Sequence, residues 1–230
     1  MQYASAFRYS GEVLKVGTPR NDVLIRNDAD EAMAIRRTIG CENKKILLYA
    51  PTLRRENASS KTVQDKQDID LEKTLSLLKE KTGEDWILLV RSHPSVPSLN
   101  VANKEGEIIN VSSYEDMADL LLVTDFLITD FSSSAADIAL LHRAVILFHS
   151  DIKEYLTKDR GLYFNMTDSP YYVANDQKEL EALITRITPE EFAQNCDDIL
   201  KFYGTVETGK ASEAVAERLV DWMKNGKRKA

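Results

Sequence analysis

An α/β fold, with a parallel sheet covered by helices on both faces, is predicted by three features of the sequence. Short apolar runs alternate with amphipathic helical patterns along most of the chain. The apolar runs are continuous rather than alternating, as strands buried on both faces require. Several of them end abruptly in small hydroxyl, basic or imidazole residues. Taken in order, residues 46–49 (ILLY) read as the first buried strand and residues 69–81 as an amphipathic helix with Leu71, Leu75 and Leu78 on one face. Residues 86–90 form a second strand and residues 108–111 a short apolar third. Residues 114–123 read as a helix, with Ser113 and Asp116 placed to cap its start. Residues 126–129 read as a strand, 133–141 as a helix and 145–148 as a strand; beyond these, 177–187, 189–202 and 211–224 are helical. Strands separated by helices in this way predict a Rossmann-like layer. Ahead of it, "VLKVGTPRND" reads as a strand leading into Gly17-Thr18-Pro19. The polar stretch 54–68 has no periodicity and is expected to be a long, functional loop.

The chain has 230 residues, enough to bury a core without staples. Hydrophobic residues make up 43% and charged residues 29%, which suits a soluble globular protein. A net charge of -7 argues against broad binding to nucleic acid, where phosphate neutralisation dominates affinity. The basic stretch 224–229 is short and reads as a solvated tail, with contact to a membrane surface as the sharper alternative. Cys41 and Cys196 lie far apart and form no CxxC pair, so a reducing compartment and two unremarkable thiols are expected. No apolar run approaches a membrane span, and no secretory signal follows Met1.

In open parallel sheets ligands sit beyond the carboxyl ends of the strands. The residues expected there are Pro51 and Thr52 after the first strand and Arg91, Ser92 and His93 after the second. Asp130 through Ser134 follow the fourth, and His149-Ser150-Asp151 the fifth. Hydroxyl, guanidinium and imidazole groups converging on one edge suit an anion, and phosphate is the obvious one. Ser132 and Ser133 lie where a helix begins; its first N–H groups lack internal partners and attract a phosphate, to which serine hydroxyls add donors. A plain helix cap is the competing explanation. Asp137 falls one turn later, as an acceptor for ribose or polyol hydroxyls or as an acid favoured by the helix dipole. Asp130 reads as a structural tie. His93, held extended by Pro94, is placed to donate to a phosphate or to shuttle a proton. His142 reads as a dipole partner at a helix end, and His149 is a weaker candidate. The histidine spacing predicts no metal site. There is no GxxxxGK[ST], GxGxxG or GxSxG motif.

Six stretches in order resemble the CDP-glycerol glycerophosphotransferase family, the teichoic acid polymerases and primases. They are "VGTPRND" at 16–22, "ILLYAPTLR" at 46–54, "RSHP" at 91–94, "DLLLVTDFLITDFSSSAADIALL" at 119–141, "DIKEYLTKDRGLYFN" at 151–165 and "GKASEAV" at 209–215. The resemblance implies one half of a GT-B glycosyltransferase fold, in which two Rossmann-like domains face a cleft. It further implies that this chain is the nucleotide-donor half, with a lead-in segment at 1–16 from a preceding domain, the donor domain at 17–226 and a basic tail at 227–230. That preceding acceptor domain supplies a catalytic histidine in the family, so the chain alone is expected to transfer little.

By resemblance, an acceptor hydroxyl attacks the polyol-bearing phosphorus of CDP-glycerol or CDP-ribitol and CMP leaves. The acceptor would be polymer or lipid-linked, met at the inner face of the cell membrane; no cofactor or metal is implied. Arg91, Ser92 and His93 match the pyrophosphate and catalytic segment, with His93 as the catalytic residue. Ser132 and Ser133 match phosphate-binding serines, Asp137 a donor-binding acid, and Pro51 and Thr52 a donor-binding turn. Arg20 matches an arginine near the interdomain crossing, with a surface pair to Asp22 as its alternative. Arg160 is expected to face the cleft. A GT-B sugar transferase or epimerase using a UDP-sugar, and a non-catalytic nucleotide-binding module, are the competing functions.

Overall fold

The structure, a computed structural model, describes residues 8–52, 69–92, 106–158 and 164–225. Among these, six strands form one sheet in the order β3-β2-β1-β4-β5-β6. They are β1 (Lys45–Ala50), β2 (Trp86–Val90), β3 (Ile108–Asn110), β4 (Phe126–Thr129), β5 (Ala144–Phe148) and β6 (Val173–Ala174), and every pairing is parallel. The chain builds outward from β1 to β3, then returns to the middle and builds outward from β4 to β6. The direction reverses between β1 and β4, where Ala50 lies opposite Thr129. Adjacent connections leave that point in opposite directions, which opens a crevice at the carboxyl ends of these two strands.

The helices are α1 (Asp22–Arg26), α2 (Ala29–Ile39), α3 (Leu71–Thr82), α4 (Met117–Val123), α5 (Ser134–Ala139), α6 (Ile152–Lys158), α7 (Gln177–Arg186), α8 (Pro189–Tyr203) and α9 (Ala211–Asn225). Two hydrophobic clusters lie on the two faces of the sheet, and β1 shows why. Ile46 and Leu48 join one cluster with Leu24, Ile35, Leu121 and Ile138; Leu47 and Tyr49 join the other with Leu75, Leu78, Leu180 and Ile184. Successive side chains of a strand point to opposite faces, so a continuous apolar run serves two helical layers at once. The expected doubly covered parallel sheet is thus present.

The boundaries differ from expectation where local chemistry competes with periodicity. Residues 13–16 form no strand: they find no partner at a sheet edge, and Leu14 remains 41% exposed. The helix expected over 114–123 begins at Met117, because Asp116 is itself the N-cap and accepts from the N–H of Ala118 at 2.7 Å. The helix expected over 133–141 spans only Ser134–Ala139. Helices α1, α2 and α6 and the two-residue strand β6 add to the expected elements. The caps of α2 were legible: Asp28 accepts from the N–H groups of Asp30 and Glu31, and Gly40 closes the helix at φ +83°. The expected loop over 54–68 lies outside the described residues.

Candidate functional site

The crevice between β1 and β4 is tied shut at its base. Thr129 donates its hydroxyl to the carbonyl of Ala50 at 2.6 Å. One residue further, the Thr52 N–H donates to Asp130 Oδ1 and Oδ2 at 2.9 and 3.1 Å, and the Phe131 N–H donates to Oδ1 at 2.7 Å. Asp130 is 1% exposed and holds two loops in register, the structural role expected of it. Pro51 and Thr52 are thereby fixed beside the start of the serine run. Beneath it the Phe131 ring stacks on His149 and on Tyr155, with centroids 4.3 and 3.7 Å apart. His149 is fully buried, with Nε2 3.2 Å from the Asp130 carbonyl oxygen, so it supports the loop from inside. His142 sits just past the end of α5 at φ +51°, with Nε2 2.9 Å from Asp197 Oδ1 on α8.

The three serines divide their work. Ser132 Oγ accepts from the Ser134 N–H at 3.2 Å and from the Ser134 hydroxyl at 2.8 Å, closing the turn. Ser133 occupies the N-cap of α5 in helical geometry (φ -64°), its side chain accepts no capping hydrogen bond, and it is exposed. The capping explanation therefore fits Ser132 and not Ser133.

At the end of β2, Arg91 turns back on its own support. Its Nη2 donates to the carbonyls of Tyr114 and Glu115, both at 3.2 Å, while Nε is buried without a hydrogen-bond partner among the described residues. Burial lowers its pKa from the ordinary arginine value, against the pull of Asp116. Ser92 is 3% exposed and donates its N–H to Ser112 Oγ at 2.9 Å. His93 and Arg160 lie outside the described residues.

The least legible part of the site is a polar knot built from three distant segments. Arg20, in the 3-10 turn Pro19–Asn21, donates from Nε to Asp137 Oδ2 at 3.1 Å and from Nη2 to Oδ2 and Oδ1 at 3.0 and 3.2 Å. Asn21 Nδ2 donates to Asp137 Oδ1 at 3.0 Å and to Glu207 Oε1 at 3.2 Å. Glu207 Oε2 accepts from the Thr18 N–H at 2.8 Å. The alternative pair of Arg20 with Asp22 is excluded, because Asp22 accepts from the N–H groups of Ala211 and Ser212 at 2.9 and 2.8 Å and caps α9. Hydrogen bonds from Ser212, then from Ala211, hold the Asp22 carboxyl below its ordinary pKa. Asp137 and Arg20 were each expected at the site, but not as one unit. Asn21 and Glu207 were not singled out, and Asp22 only as a partner for Arg20, although the "VGTPRND" and "GKASEAV" stretches that converge here were. Among the described residues no three His, Cys, Asp or Glu side chains converge as a metal site requires.

Comparison with known proteins gives a consistent set of relatives. The family model described as CDP-Glycerol:Poly(glycerophosphate) glycerophosphotransferase matches residues 1–221. A teichoic acid poly(glycerol phosphate) polymerase of Staphylococcus epidermidis is 32% identical over 228 residues, covering 94% of this chain and 30% of that protein. A teichoic acid poly(ribitol-phosphate) polymerase of Bacillus spizizenii is 30% identical, covering 95% of this chain and 35% of that protein. The solved structure of the wall teichoic acid polymerase TagF aligns with a TM-score of 0.77 at 30% identity, over 97% of this chain and 55% of that one. A variant of TagF soaked with CDPG aligns equally well, at a TM-score of 0.77 and 31% identity over 97% of this chain. The chain spans about a third of the length of these curated relatives. The sheet order and the likeness to TagF bear out the expected Rossmann-like half of a GT-B-type fold.

Proposed function

The chain belongs to the CDP-glycerol:poly(glycerophosphate) glycerophosphotransferase family, and on that premise we propose that it binds a CDP-polyol and presents its phosphate for transfer to an acceptor hydroxyl. In this reaction the acceptor oxygen forms a new bond to the polyol-bearing phosphorus. The bond from that phosphorus to the CMP oxygen breaks, CMP leaves, and the hydroxyl proton passes to a base. The observation that carries the reading is the placement of Pro51-Thr52 and Ser132-Ser133 on either side of the point where the sheet reverses, with the Ser133 hydroxyl not used as a cap. A pyrophosphate there meets the exposed Ser133 hydroxyl beside the start of α5. Charge that builds on the phosphate oxygens during transfer is stabilised by such fixed donors. Arg91 and Ser92 bring the end of β2 to the same edge, and His93, the next residue, is assigned the charge that develops during transfer. The polymer or lipid-linked acceptor, and its encounter at the membrane's inner face, belong to the same proposal. Among the described residues no helix is long and apolar enough to cross a membrane.

Calorimetric titration with CDP, UDP and ADP tests the reading. Preference for CDP supports it. Preference for UDP favours a sugar-nucleotide enzyme, and absence of nucleotide binding removes it. In the full-length enzyme His93→Ala is expected to lower turnover while leaving donor binding nearly intact. A His93→Ala variant with unchanged turnover per folded molecule would take His93 out of the mechanism.

A further inference from the structure

The hydrogen bonds of the polar knot form a directed chain that ends on one exposed group. Glu207 is joined to Asn21, Asn21 to Asp137, and Asp137 to Arg20. The first links are rigid. Gly17 adopts φ +93°, a backbone conformation that side chains rarely allow, and passes against the Glu207 carboxylate. Asn21 is 3% exposed and spans two carboxylates, which forces its Nδ2 toward both and leaves its Oδ1 buried without a hydrogen-bond partner among the described residues. An amide that bridges two acids at the cost of an unsatisfied acceptor specifies position rather than stability.

At the other end the chain opens to solvent. The Arg20 side chain is 54% exposed, while that of Asp137 is 12% exposed. Arg20 commits its Nε and Nη2 to Asp137, and its Nη1 has no hydrogen-bond partner among the described residues. A planar guanidinium held along one edge presents its remaining N–H groups in a fixed direction, the geometry suited to a phosphate oxygen. Asp137 lies four residues after Ser133, so the carboxylate that holds the guanidinium stands on roughly the same face of α5 as the exposed serine.

We infer that Glu207 and Asn21 are positioning residues for donor binding: acting through Asp137, they aim the free edge of Arg20 at a phosphate of the nucleotide donor. Asp137 is then a relay and not a ligand for sugar or polyol hydroxyls, since both its oxygens are engaged. The inference rests on the donor-binding reading above and adds residues from a segment some 190 positions away.

The test is a double-mutant cycle on CDP affinity, measured by calorimetry on the wild type, Arg20→Ala, Glu207→Gln and the double variant. Each single change is expected to weaken CDP binding on the order of tenfold, the loss of one charge-assisted contact. The double variant is expected to bind no worse than Arg20→Ala, because Glu207 acts only through Arg20. The Arg20 Nε–H resonance, sharp in the wild type, is expected to broaden in Glu207→Gln. Multiplying effects, an unchanged affinity in Glu207→Gln, or an unmoved Arg20 resonance would overturn the inference while leaving CDP binding by the wild type intact. Absence of CDP binding by the wild type would instead overturn the functional reading and this inference with it. Should Glu207→Gln fail to fold, Asn21→Ala breaks the same chain one link later and is held to the same coupling.

Discussion

The backbone N–H of Thr52 points at the carboxylate of Asp130, 2.9 Å from one oxygen and 3.1 Å from the other, across the gap where the sheet changes direction. This single contact joins the loop after β1 to the loop after β4, and both carry residues proposed to meet the donor. Asp130→Ala leaves the N–H groups of Thr52 and Phe131 without this acceptor. The expected loss is about 2–3 kcal/mol, or on the order of 5–10 °C in Tm. CDP affinity measured well below that Tm should fall as well, because the two loops lose their register. A destabilised variant with normal CDP affinity would separate Asp130 from the site.

Ser133→Ala gives the cleanest separation of binding from folding. Since Ser133 makes no side-chain capping bond, its Tm should stay within about 1 °C of the wild type, as expected for a neutral exposed substitution. CDP affinity should fall by about 1.5–3 kcal/mol, the value of one hydrogen bond to a charged group. A lowered Tm with unchanged affinity would make Ser133 a cap after all.

Asp22 offers a pH signature for the join between the two ends of the chain. Its folded pKa lies below the ordinary carboxylate value because Ser212 and Ala211 donate to it. The sign follows from linkage: its contribution is fully present above the unfolded pKa, about 3.9, and is lost as pH falls through the lower folded value. Asp22→Ala should cost about 1–2 kcal/mol at pH 7, as for other lost helix caps. The stability difference between variant and wild type should shrink as the pH drops below about 4. Urea unfolding of both proteins from pH 7 to pH 2.5 checks this; a difference that stays constant would assign the loss to packing.

The thiols should be silent in the folded protein. Cys196 is 1% exposed, its Sγ lies 3.2 Å from the Arg143 carbonyl oxygen, and burial pushes its pKa up to about 12. Burial likewise raises that of Cys41, which is 2% exposed. Thiolates are the reactive species, so neither residue should label with an aromatic disulfide reagent at pH 8 until the chain unfolds. Labelling of the native protein at the rate of a free thiol would contradict the burial.

Much of the layered fold follows from local pattern. The runs 46–49, 86–90, 126–129 and 145–148 are apolar on both faces, and no other arrangement buries both faces of four such strands. The serine run was recognisable because helix starts and phosphate contacts draw on the same residue types, and the sequence could not tell those two uses apart for Ser132 and Ser133. The fold assigned the turn-closing bonds to Ser132, with Ser134 as its partner, and left Ser133 exposed without a capping bond. Residues 13–16 misled for the opposite reason: an apolar stretch becomes a strand only where an edge accepts its hydrogen bonds, and that is a property of the sheet. The knot of Arg20, Asn21, Asp137 and Glu207 lies wholly in this second class. Its members are 116 to 186 positions apart where they touch, so no periodicity or spacing could reveal it. Asp137 was singled out by its place one turn into a helix, and Arg20 by the family resemblance. The parallel sheet, by bringing α5 beside the start of the chain and α9 back across it, decided that one would hold the other.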